Sequence, residues 1–258
     1  MEFKGMRNMK KVVRSNEDRL TRVWDIEKVK DLMSRRTIYE TNGDFQAELD
    51  DLWVKDPEHQ KTASFGKNWG YYVGMDEIKR YYVTEKAEKE KAALAEIAKN
   101  VPEAADAAPG FGRFEFHPLS TPSVFIAEDG KTAKGTWYSI GADCYPNEDG
   151  TGNCSWNCGK ICADFVKEGD DWKIWHVVFA NDFMVQTGTD VGELQSIYIR
   201  GTNPDELAFG NPTIPMLAHN PSYTWCDQYP PLSDAYETLT PENSYGPEGH
   251  PDYKGSEG

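Results

Sequence analysis

Basic side chains are scarce in this chain of 258 residues. It carries 28 Lys and Arg against 43 Asp and Glu, which gives a formal net charge of −15. Binding to phosphates and to anionic lipid headgroups depends on Lys and Arg, so this balance excludes a sequence-independent nucleic-acid binder and argues against a membrane-surface protein. We expect neither nucleic acid nor a membrane as a partner.

Long apolar runs are also missing. No stretch approaches the roughly 20 apolar residues that span a bilayer, and no apolar run follows the basic residues near the start, so the sequence predicts neither a transmembrane helix nor a secretory signal. We expect a cytoplasmic protein. Four of the five cysteines crowd the stretch from Cys144 to Cys162, which is not the spread of a disulfide framework. We interpret the cysteines as reduced thiols.

Motifs for cofactors and metals are absent as well. The sequence has no G-x-G-x-x-G, P-loop or G-x-S-x-G string, and no HxH, HExxH or CxxC pair. Cys154, Cys158 and Cys162 are spaced four apart, but in a strand such residues lie about 13 Å from each other, which is much farther than shared metal coordination permits. We therefore expect no metal site and no cofactor.

The spacing of apolar residues changes along the chain. Helical spacing predicts a helix over Asn16–Thr41, ended by Asn42-Gly43, with an inner stripe formed by Val23, Ile26, Val29 and Met33. Two more helices are predicted at Asp44–Leu52 and Met75–Asn100, with two short strands between them. After Arg113 apolar residues recur at every second position, which indicates a run of four antiparallel strands. Helices first and strands afterwards predict an α+β fold.

Residues 201–258 differ from the rest in composition. They hold nine of the 15 prolines, and nine acidic residues against one lysine. We divide the chain into an N-terminal extension (1–15), one domain (16–186) and a Pro- and Tyr-rich C-terminal arm (187–258). Because the arm is rich in aromatic residues yet too polar for a core of its own, we expect it to wrap in extended conformation over its own domain or a neighbouring subunit.

Four strings, in this order, resemble the NTF2-like (SnoaL-like) superfamily: WDIEKVKDLMSRRTIYETNGDFQAELDDLW, GMDEIKRYY, FHPLSTPSVFIAEDGKTAKGTWYS and ADFVKEGDDWKIWHVVF. The resemblance covers residues 20–183. It implies N-terminal helices packed in a strongly curved antiparallel sheet, which forms a cone around an apolar pocket. The most similar members are bile-acid 7α-dehydratases and, more remotely, scytalone dehydratase, so the resemblance also implies a cofactor-independent lyase.

His117 is the first catalytic candidate. It precedes Pro122 by five positions and thereby matches the catalytic His of the bile-acid dehydratases. Imidazole is the side chain best suited to take and return a proton near neutral pH, so the resemblance implies that His117 is the general base. The alternative is a strand histidine that is satisfied in the core or at an interface.

Arg36 and Glu40 project inward from the first helix by its helical period. Buried charges need partners, so they form either a structural ion pair or an electrostatic and acid/base pair that serves the pocket. The dehydratases have a Tyr at the position of Arg36 and an Asp at that of Thr41. Glu40 and Tyr39 are therefore the candidates to replace that carboxylate and that hydroxyl, which requires the end of the helix to be shifted.

Two residues of the predicted strands complete the candidate catalytic set. The dehydratases have an Asp where this chain has Gly141, and Asp143 keeps the same strand parity; the alternative is a solvated rim residue. Asn181 is the polar residue on the apolar face of the last strand, where a carboxamide would orient a substrate oxygen. Its alternative is a bond to local backbone. His176 falls on the opposite face.

Aromatic side chains are the candidates for lining the pocket, and they suit a planar or polycyclic ligand. Core packing is the alternative for each of them. The candidates for substrate binding are Trp69, Tyr72, Phe116, Trp137, Tyr138 and Phe179.

Together these features predict a dehydratase that acts on a hydrophobic, hydroxylated alicyclic or aromatic small molecule. The alternatives are retro-aldol C–C cleavage with release of formaldehyde from phenylpropanoid dimers, double-bond isomerisation, and a non-catalytic ligand-binding or assembly domain. We also expect a homo-oligomer, a dimer or trimer, with the C-terminal arm contributing to its contacts.

Overall fold

Helices come first and strands follow in the computed structural model, which describes residues 13–108, 110–188, 212–216 and 230–255. The helices are α1 (Asn16–Asn42), α2 (Phe45–Leu52), α3 (Pro57–Thr62), α4 (Met75–Lys79) and α5 (Lys86–Ile97), with a π-helical turn, Arg80–Glu85, joining the last two. None of the helices in these described ranges has an apolar stretch long enough to cross a bilayer. The predicted α+β fold is confirmed.

The strands form one open, curved sheet. They are β1 (Ser64–Lys67), β2 (Gly70–Val73), β3 (Phe114–Phe116), β4 (Leu119–Ile126), β5 (Thr132–Pro146), β6 (Gly152–Glu168), β7 (Asp171–Gln186) and β8 (Ile214–Pro215). Their order is β3-β5-β6-β7-β1-β2-β8, and β4 also pairs with β5. The pairing of β1 with β7 is parallel, so the sheet is mixed. Helix α1 packs against β3, β4 and β7, which defines the inner face of the sheet.

Helix α1 starts at a serine cap and ends at its predicted stop. The hydroxyl of Ser15 accepts a hydrogen bond from the backbone N–H of Asp18 at 3.0 Å, which satisfies one of the free donors of the first turn. Gly43 ends the helix with φ 77°, in the left-handed region that favours glycine. Its N–H donates to the carbonyl of Glu40 at 3.1 Å, so the direction in which the chain enters α2 is set locally.

The inner stripe of α1 differs from the prediction. Val23 is 59% exposed, because Asp25 takes the inward position and accepts a hydrogen bond from the Trp172 indole at 2.9 Å. The four side chains that the helix buries are Asp25, Val29, Met33 and Arg36. The stripe therefore has a charged residue at each end, and Arg36 lies in the interior.

The first predicted strand is interrupted. β3 and β4 both pair with β5, but they are separated at His117-Pro118, where proline has no N–H to donate to a ladder. Thr121 has a positive φ of 50°, and the register of β4 shifts between Ser120 and Ser123. His117 therefore lies between two ladders and outside both of them.

The cysteines do not match the prediction of reduced thiols. Cys144 and Cys154 form a disulfide, because the antiparallel register of β5 and β6 places them directly opposite each other on one face. Cys158 and Cys162, farther along β6, are free thiols. Cys226 lies outside the described residues.

Two described pieces of the C-terminal arm contact the domain of the same chain. β8 extends the sheet beside β2. Residues 230–255 lie on the outer face, where Tyr245 is buried and its N–H donates to the carboxylate of Asp164. The outer face therefore has a small core of its own, formed by Tyr71, Cys162, Val178, Ala180 and Tyr245.

Candidate functional site

His117 belongs to a short polar relay on the inner face of the sheet. Its Nε2 lies 2.8 Å from Oδ1 of Asp143, and the side-chain amide of Asn157 donates to the other oxygen of that carboxylate. A carboxylate accepts but does not donate, so in the tautomer that fits this contact the proton is on Nε2. This leaves the lone pair on Nδ1, which is buried and has no hydrogen-bond partner among the described residues.

Gly141 makes the position of His117 possible. A Cβ at residue 141 would lie 2.3 Å from the carbonyl oxygen of Phe116 and 2.5 Å from Nδ1 of His117. Real Cβ atoms do not approach so closely, so any larger residue would displace the ring. The glycine that departs from the dehydratase pattern is thus what allows the imidazole to lie against β5.

Arg36 is the centre of a second polar group, on the helix side of the interior. Its guanidinium donates to both oxygens of Glu40, at 2.6 and 3.0 Å, and to the hydroxyl of Tyr82 at 2.6 Å. Its Nε lies 3.2 Å from Glu48, which is fully buried and also accepts from the Trp53 indole. Burial raises the pKa of Glu48, although Arg36 opposes the shift. Arg36 therefore serves several acceptors, beyond a simple i,i+4 pair.

Lys67, the last residue of β1, lies between these two groups. Its Nζ is 4.4 Å from the ring centroid of Phe179 and 5.2 Å from that of Phe65. Burial lowers the pKa of Lys67 to about 8, while the carboxylates of Glu40 and Asp143 oppose the shift. The ring of Phe179 also contacts the ring of His117, edge to face, at 5.1 Å between centroids.

Several inward polar atoms beside this cluster have no partner within the described ranges. Ser139, Gly159 and Asn181 lie opposite one another across β5, β6 and β7. The Oγ of Ser139, the Oδ1 of Asn157 and the Oδ1 of Asn181 are buried without a hydrogen bond. Unsatisfied buried polar atoms cost free energy, so this wall is suited to a ligand or to water that supplies the missing partners.

Asn181 also anchors the strand that carries Lys67. The side chain of Asn68 donates to the backbone carbonyl of Asn181 at 2.8 Å, and its oxygen accepts from the N–H of Asn181 at 2.9 Å. This two-bond link holds the end of β1 against β7. The position of the Lys67 side chain above Phe179 therefore depends on a fixed backbone.

An open cavity of about 640 Å³ lies where α1 meets α2, next to the π-helical turn. Its lining includes Tyr82, whose hydroxyl accepts a hydrogen bond from Arg36, and Glu115. Burial by itself would raise the pKa of Glu115, but the positive charges of Lys86 and Arg113 lower it to about 2. The lining does not include His117, Arg36, Glu40 or Asn181. Tyr82 and Glu115 thus connect the cavity with the interior groups.

Tyr39 does not join the Arg36 group. Its hydroxyl donates to the carboxylate of Asp51 in α2 at 2.5 Å, and the bond is exposed. Helix α1 runs without a shift to Asn42. Tyr39 lies three residues after Arg36, on a neighbouring part of the helix surface, but its bond to Asp51 keeps the hydroxyl out of the Arg36 group.

Two predicted lining residues lie on the wrong face of the sheet. Tyr138 is 42% exposed and Phe116 is 44% exposed. Side chains alternate between the two faces of a strand, so Tyr138 cannot share the inner face with its neighbour Trp137. Phe116 is in register with Ala142, whose side chain points away from the face that carries Asp143.

The other predicted lining residues lie on the inner side. Tyr72, Trp137 and Phe179 are buried members of the inner apolar cluster. Trp69, in the turn after β1, donates its indole N–H to the hydroxyl of Tyr72 at 3.3 Å. Three of the six candidates are therefore buried in the inner apolar cluster.

Lys67, Glu48, Tyr82, Asn157 and Ser139 were not among the residues predicted from the sequence. The sequence could have indicated Lys67, because it lies two residues after Phe65 in a predicted strand and alternate residues of a strand point to the same face. Nothing in the local sequence brings Glu48 and Tyr82 to Arg36, since those contacts join different helices. Among the described residues, no group of three or more His, Cys, Asp or Glu side chains is arranged to hold a metal ion.

The family assignment comes from the sequence model of the SnoaL-like domain, which matches residues 21–178. The chain belongs to the SnoaL-like family. The matched range contains α1, His117, Asp143 and Lys67. The SnoaL-like family includes dehydratases and isomerases. No curated protein matches the chain.

Solved structures resemble the chain at low identity. An NTF2-like protein with a cystatin-like fold from Novosphingobium aromaticivorans is 17% identical, and the match covers 68% of this chain and 90% of that one with a TM-score of 0.41. A hexachlorocyclohexane dehydrochlorinase from Novosphingobium barchaimii is 11% identical, with 68% and 97% covered and a TM-score of 0.45. Neither likeness informs the chemistry of this SnoaL-like chain.

Proposed function

We propose that this SnoaL-like protein is a cofactor-independent dehydratase of a hydrophobic, hydroxylated alicyclic or aromatic molecule, with His117 as general base and then acid. The observation that carries the proposal is the 2.8 Å contact between His117 and Asp143, which leaves Nδ1 buried and unpaired within the described part of the chain. A histidine oriented by a carboxylate and left with one free nitrogen is arranged to take a proton.

The reaction follows from this arrangement. Nδ1 of His117 takes the proton from the carbon next to the hydroxyl-bearing carbon, and Asp143 stabilises the imidazolium that forms. The same imidazolium returns the proton to the departing hydroxide, which leaves as water. Arg36, held by Glu40, polarises the leaving oxygen, and Asn181 orients the substrate through its unpaired Oδ1.

The aromatic inner wall supports an apolar substrate. Phe65, Tyr72, Trp137 and Phe179 belong to one buried cluster, and an apolar wall excludes the water that would compete for the proton. The dense set of unpaired polar atoms on the same wall argues against a purely structural core. It also argues against an inert assembly domain.

A product analysis tests the proposal. The protein is incubated with a panel of hydroxylated alicyclic and aryl compounds that includes the aldol adduct of benzaldehyde and acetone. Dehydration of that adduct gives benzalacetone, retro-aldol cleavage gives benzaldehyde and acetone, and isomerisation leaves its mass unchanged. We expect loss of water, and His117→Asn should reduce its rate by about 10²–10⁴-fold, the usual contribution of general acid–base catalysis.

Two results would contradict the proposal. One is that His117→Asn turns over the panel as fast as the wild-type protein does. The other is that C–C cleavage or isomerisation products accumulate while no member of the panel loses water. His59→Asn is the matched control, because His59 binds Glu168 away from the interior, at 3.1 Å, and should leave turnover unchanged.

A further inference from the structure

Lys67 differs from the other lysine near the site in what surrounds its ammonium group. Lys86 lies 3.4 Å from the carboxylate of Glu115 and forms an ion pair with it. Lys67 is half-buried and forms no hydrogen bond or salt bridge with the residues that the structure describes. The faces of Phe65 and Phe179 are its close neighbours, and they favour a cation only moderately.

Charged groups surround Lys67 at longer range. Glu40 and Arg36 face it from α1, Asp143 from β5 and Glu115 from β3. Burial outweighs the three carboxylates, so the pKa of Lys67 falls to about 8. At neutral pH a larger fraction of Lys67 is the free amine than for an exposed lysine, whose pKa is higher by about two units.

We propose that Lys67 is a carbonyl-reactive amine that forms a Schiff base with a β-hydroxy ketone or aldehyde bound inside the sheet. This assignment of a substrate class rests on the dehydratase function proposed above. A desolvated lysine against apolar walls is a general way to activate an amine as a nucleophile. The geometry adds that the amine and His117 both contact the ring of Phe179, which brings the two groups together around one side chain of the inner wall.

The step balances without any further reactant. The amine of Lys67 attacks the carbonyl carbon, a C–N bond forms, and the carbonyl oxygen takes up a proton. The resulting carbinolamine takes up the proton that Lys67 gave up on becoming the free amine, loses its oxygen as water and becomes a positively charged iminium ion. The net change is ketone plus protonated lysine to iminium plus water.

The iminium ion makes the proton that His117 removes more acidic. Deprotonation at the neighbouring carbon gives an enamine, which expels the β-hydroxyl group as water with the proton that His117 returns. Hydrolysis of the conjugated iminium then releases the unsaturated ketone and restores Lys67. The base and the amine thus have separate roles on one substrate, and each is tested by itself.

Reductive trapping tests the role of Lys67. The full chain is incubated at neutral pH with benzylacetone, a ketone that lacks the β-hydroxyl group, and with cyanoborohydride, which reduces iminium ions. We expect one benzylacetone-derived group per chain, located at Lys67 by peptide mass mapping. Lys67→Arg and Lys67→Met should abolish this labelling, and Lys61→Arg, at an exposed lysine, should leave it unchanged. Circular dichroism verifies that each variant is folded.

The pH dependence of trapping is a second measurement. Labelling of Lys67 should rise as the pH approaches 8 and level off above it, while labelling of exposed lysines continues to rise to higher pH. Labelling of Lys67 at the same rate and with the same pH profile as exposed lysines, or no labelling of Lys67 at all, would overturn the proposal.

Proton exchange separates this proposal from the dehydratase function. In deuterated water, exchange of the protons next to the carbonyl of benzylacetone requires both the iminium ion and the base. His117→Asn should abolish exchange and retain trapping, and Lys67→Arg should abolish both. Exchange that His117→Asn abolishes but Lys67→Arg leaves intact overturns the role of Lys67 alone. Trapping at Lys67 with exchange that survives His117→Asn overturns the role of His117 alone.

Discussion

The two faces of the sheet each carry a histidine that binds an aspartate. On the inner face Nε2 of His117 lies 2.8 Å from Asp143, and on the outer face Nδ1 of His176 lies 2.9 Å from Asp164. The two pairs therefore match in composition and distance. They differ in what surrounds them.

The outer pair belongs to a buried group that also contains a lysine and a tyrosine of the C-terminal arm. Asp164 is fully buried, accepts from the N–H of Tyr245 and lies 3.3 Å from Lys134. Burial by itself would raise the pKa of Asp164, but Lys134 and His176 outweigh it and the pKa is lowered. The inner pair forms no ion pair with a lysine among the described residues, and Nδ1 of His117 is buried there without a hydrogen bond. The two pairs therefore differ in whether a buried lysine and the C-terminal arm complete them.

Exchanging each histidine for asparagine should produce the largest difference between the faces. We expect His117→Asn to reduce dehydration of the aldol adduct by about 10²–10⁴-fold with little change in Tm. His176→Asn should lower Tm and leave kcat of the remaining folded protein unchanged, because His176 supports only the outer group. Steady-state kinetics and thermal unfolding measure the two effects. Equal losses of kcat in both variants would show that the comparison is wrong.

Removing the outer aspartate should cost stability next. Asp164→Ala leaves Lys134 and His176 buried without their anion, and breaking a buried pair in this way costs about 3–5 kcal/mol of unfolding free energy. Urea unfolding measures it. Asp170→Ala, in the exposed turn between β6 and β7, is the matched control and should change stability by no more than about 0.5 kcal/mol. An equal cost in both variants would refute the structural role of the outer pair.

Acidification should reduce the contribution of Asp164. Its pKa is lower in the folded than in the unfolded chain, so its stabilising contribution is complete above the ordinary Asp pKa and is lost as the pH falls below it. The difference in unfolding free energy between the wild-type protein and Asp164→Asn should therefore be constant near neutral pH and shrink in strong acid. A difference that grows on acidification would contradict the lowered pKa.

Gly141→Ala should damage the inner pair with a smaller cost in stability. The new Cβ meets the carbonyl of Phe116 at 2.3 Å and Nδ1 of His117 at 2.5 Å, and overpacking of this kind costs about 1–3 kcal/mol. We expect turnover to fall toward that of His117→Asn. Gly152→Ala is the control, because a Cβ there meets nothing within 4 Å. Full turnover in Gly141→Ala would show that the ring can move without consequence.

Tyr245→Phe should have the smallest effect. It removes the contact of the hydroxyl with Thr136 at 3.1 Å and its hydrogen bond to the carbonyl of Pro231 at 2.8 Å, while the ring beneath Lys134 remains. The loss should be about 1 kcal/mol in urea unfolding, with unchanged turnover. Lost turnover would instead connect the C-terminal arm to the inner site.

Local signals predicted the elements well where they depend on nearby residues. Asn42 and Gly43 predicted the end of α1, because the left-handed turn involves only adjacent backbone. The strands β5 to β7 were predicted from apolar residues that recur at every second position. The cross-strand disulfide of Cys144 and Cys154 was missed, because it depends on a register that no short window contains.

The candidate site divides in the same way. The helical period placed Arg36 and Glu40 on one side of α1, and they do form an ion pair. The family resemblance pointed to His117, and period two kept Asp143 inward. The contacts of Arg36 with Tyr82 and Glu48 were beyond reach, because they join residues from separate helices whose packing depends on the whole core.

The sequence by itself determined the order of helices and strands, the family, and which residue types are able to carry acid–base chemistry, because capping, periodicity and motif strings are local. Only the tertiary structure decided what surrounds each histidine–aspartate pair. In the sequence Asp143 follows His117 and Asp164 precedes His176, and no local pattern tells the two pairs apart. The fold places the outer pair beside Lys134 and Tyr245 and the inner pair beside Lys67 and Phe179, since burial and pairing depend on contacts between distant segments.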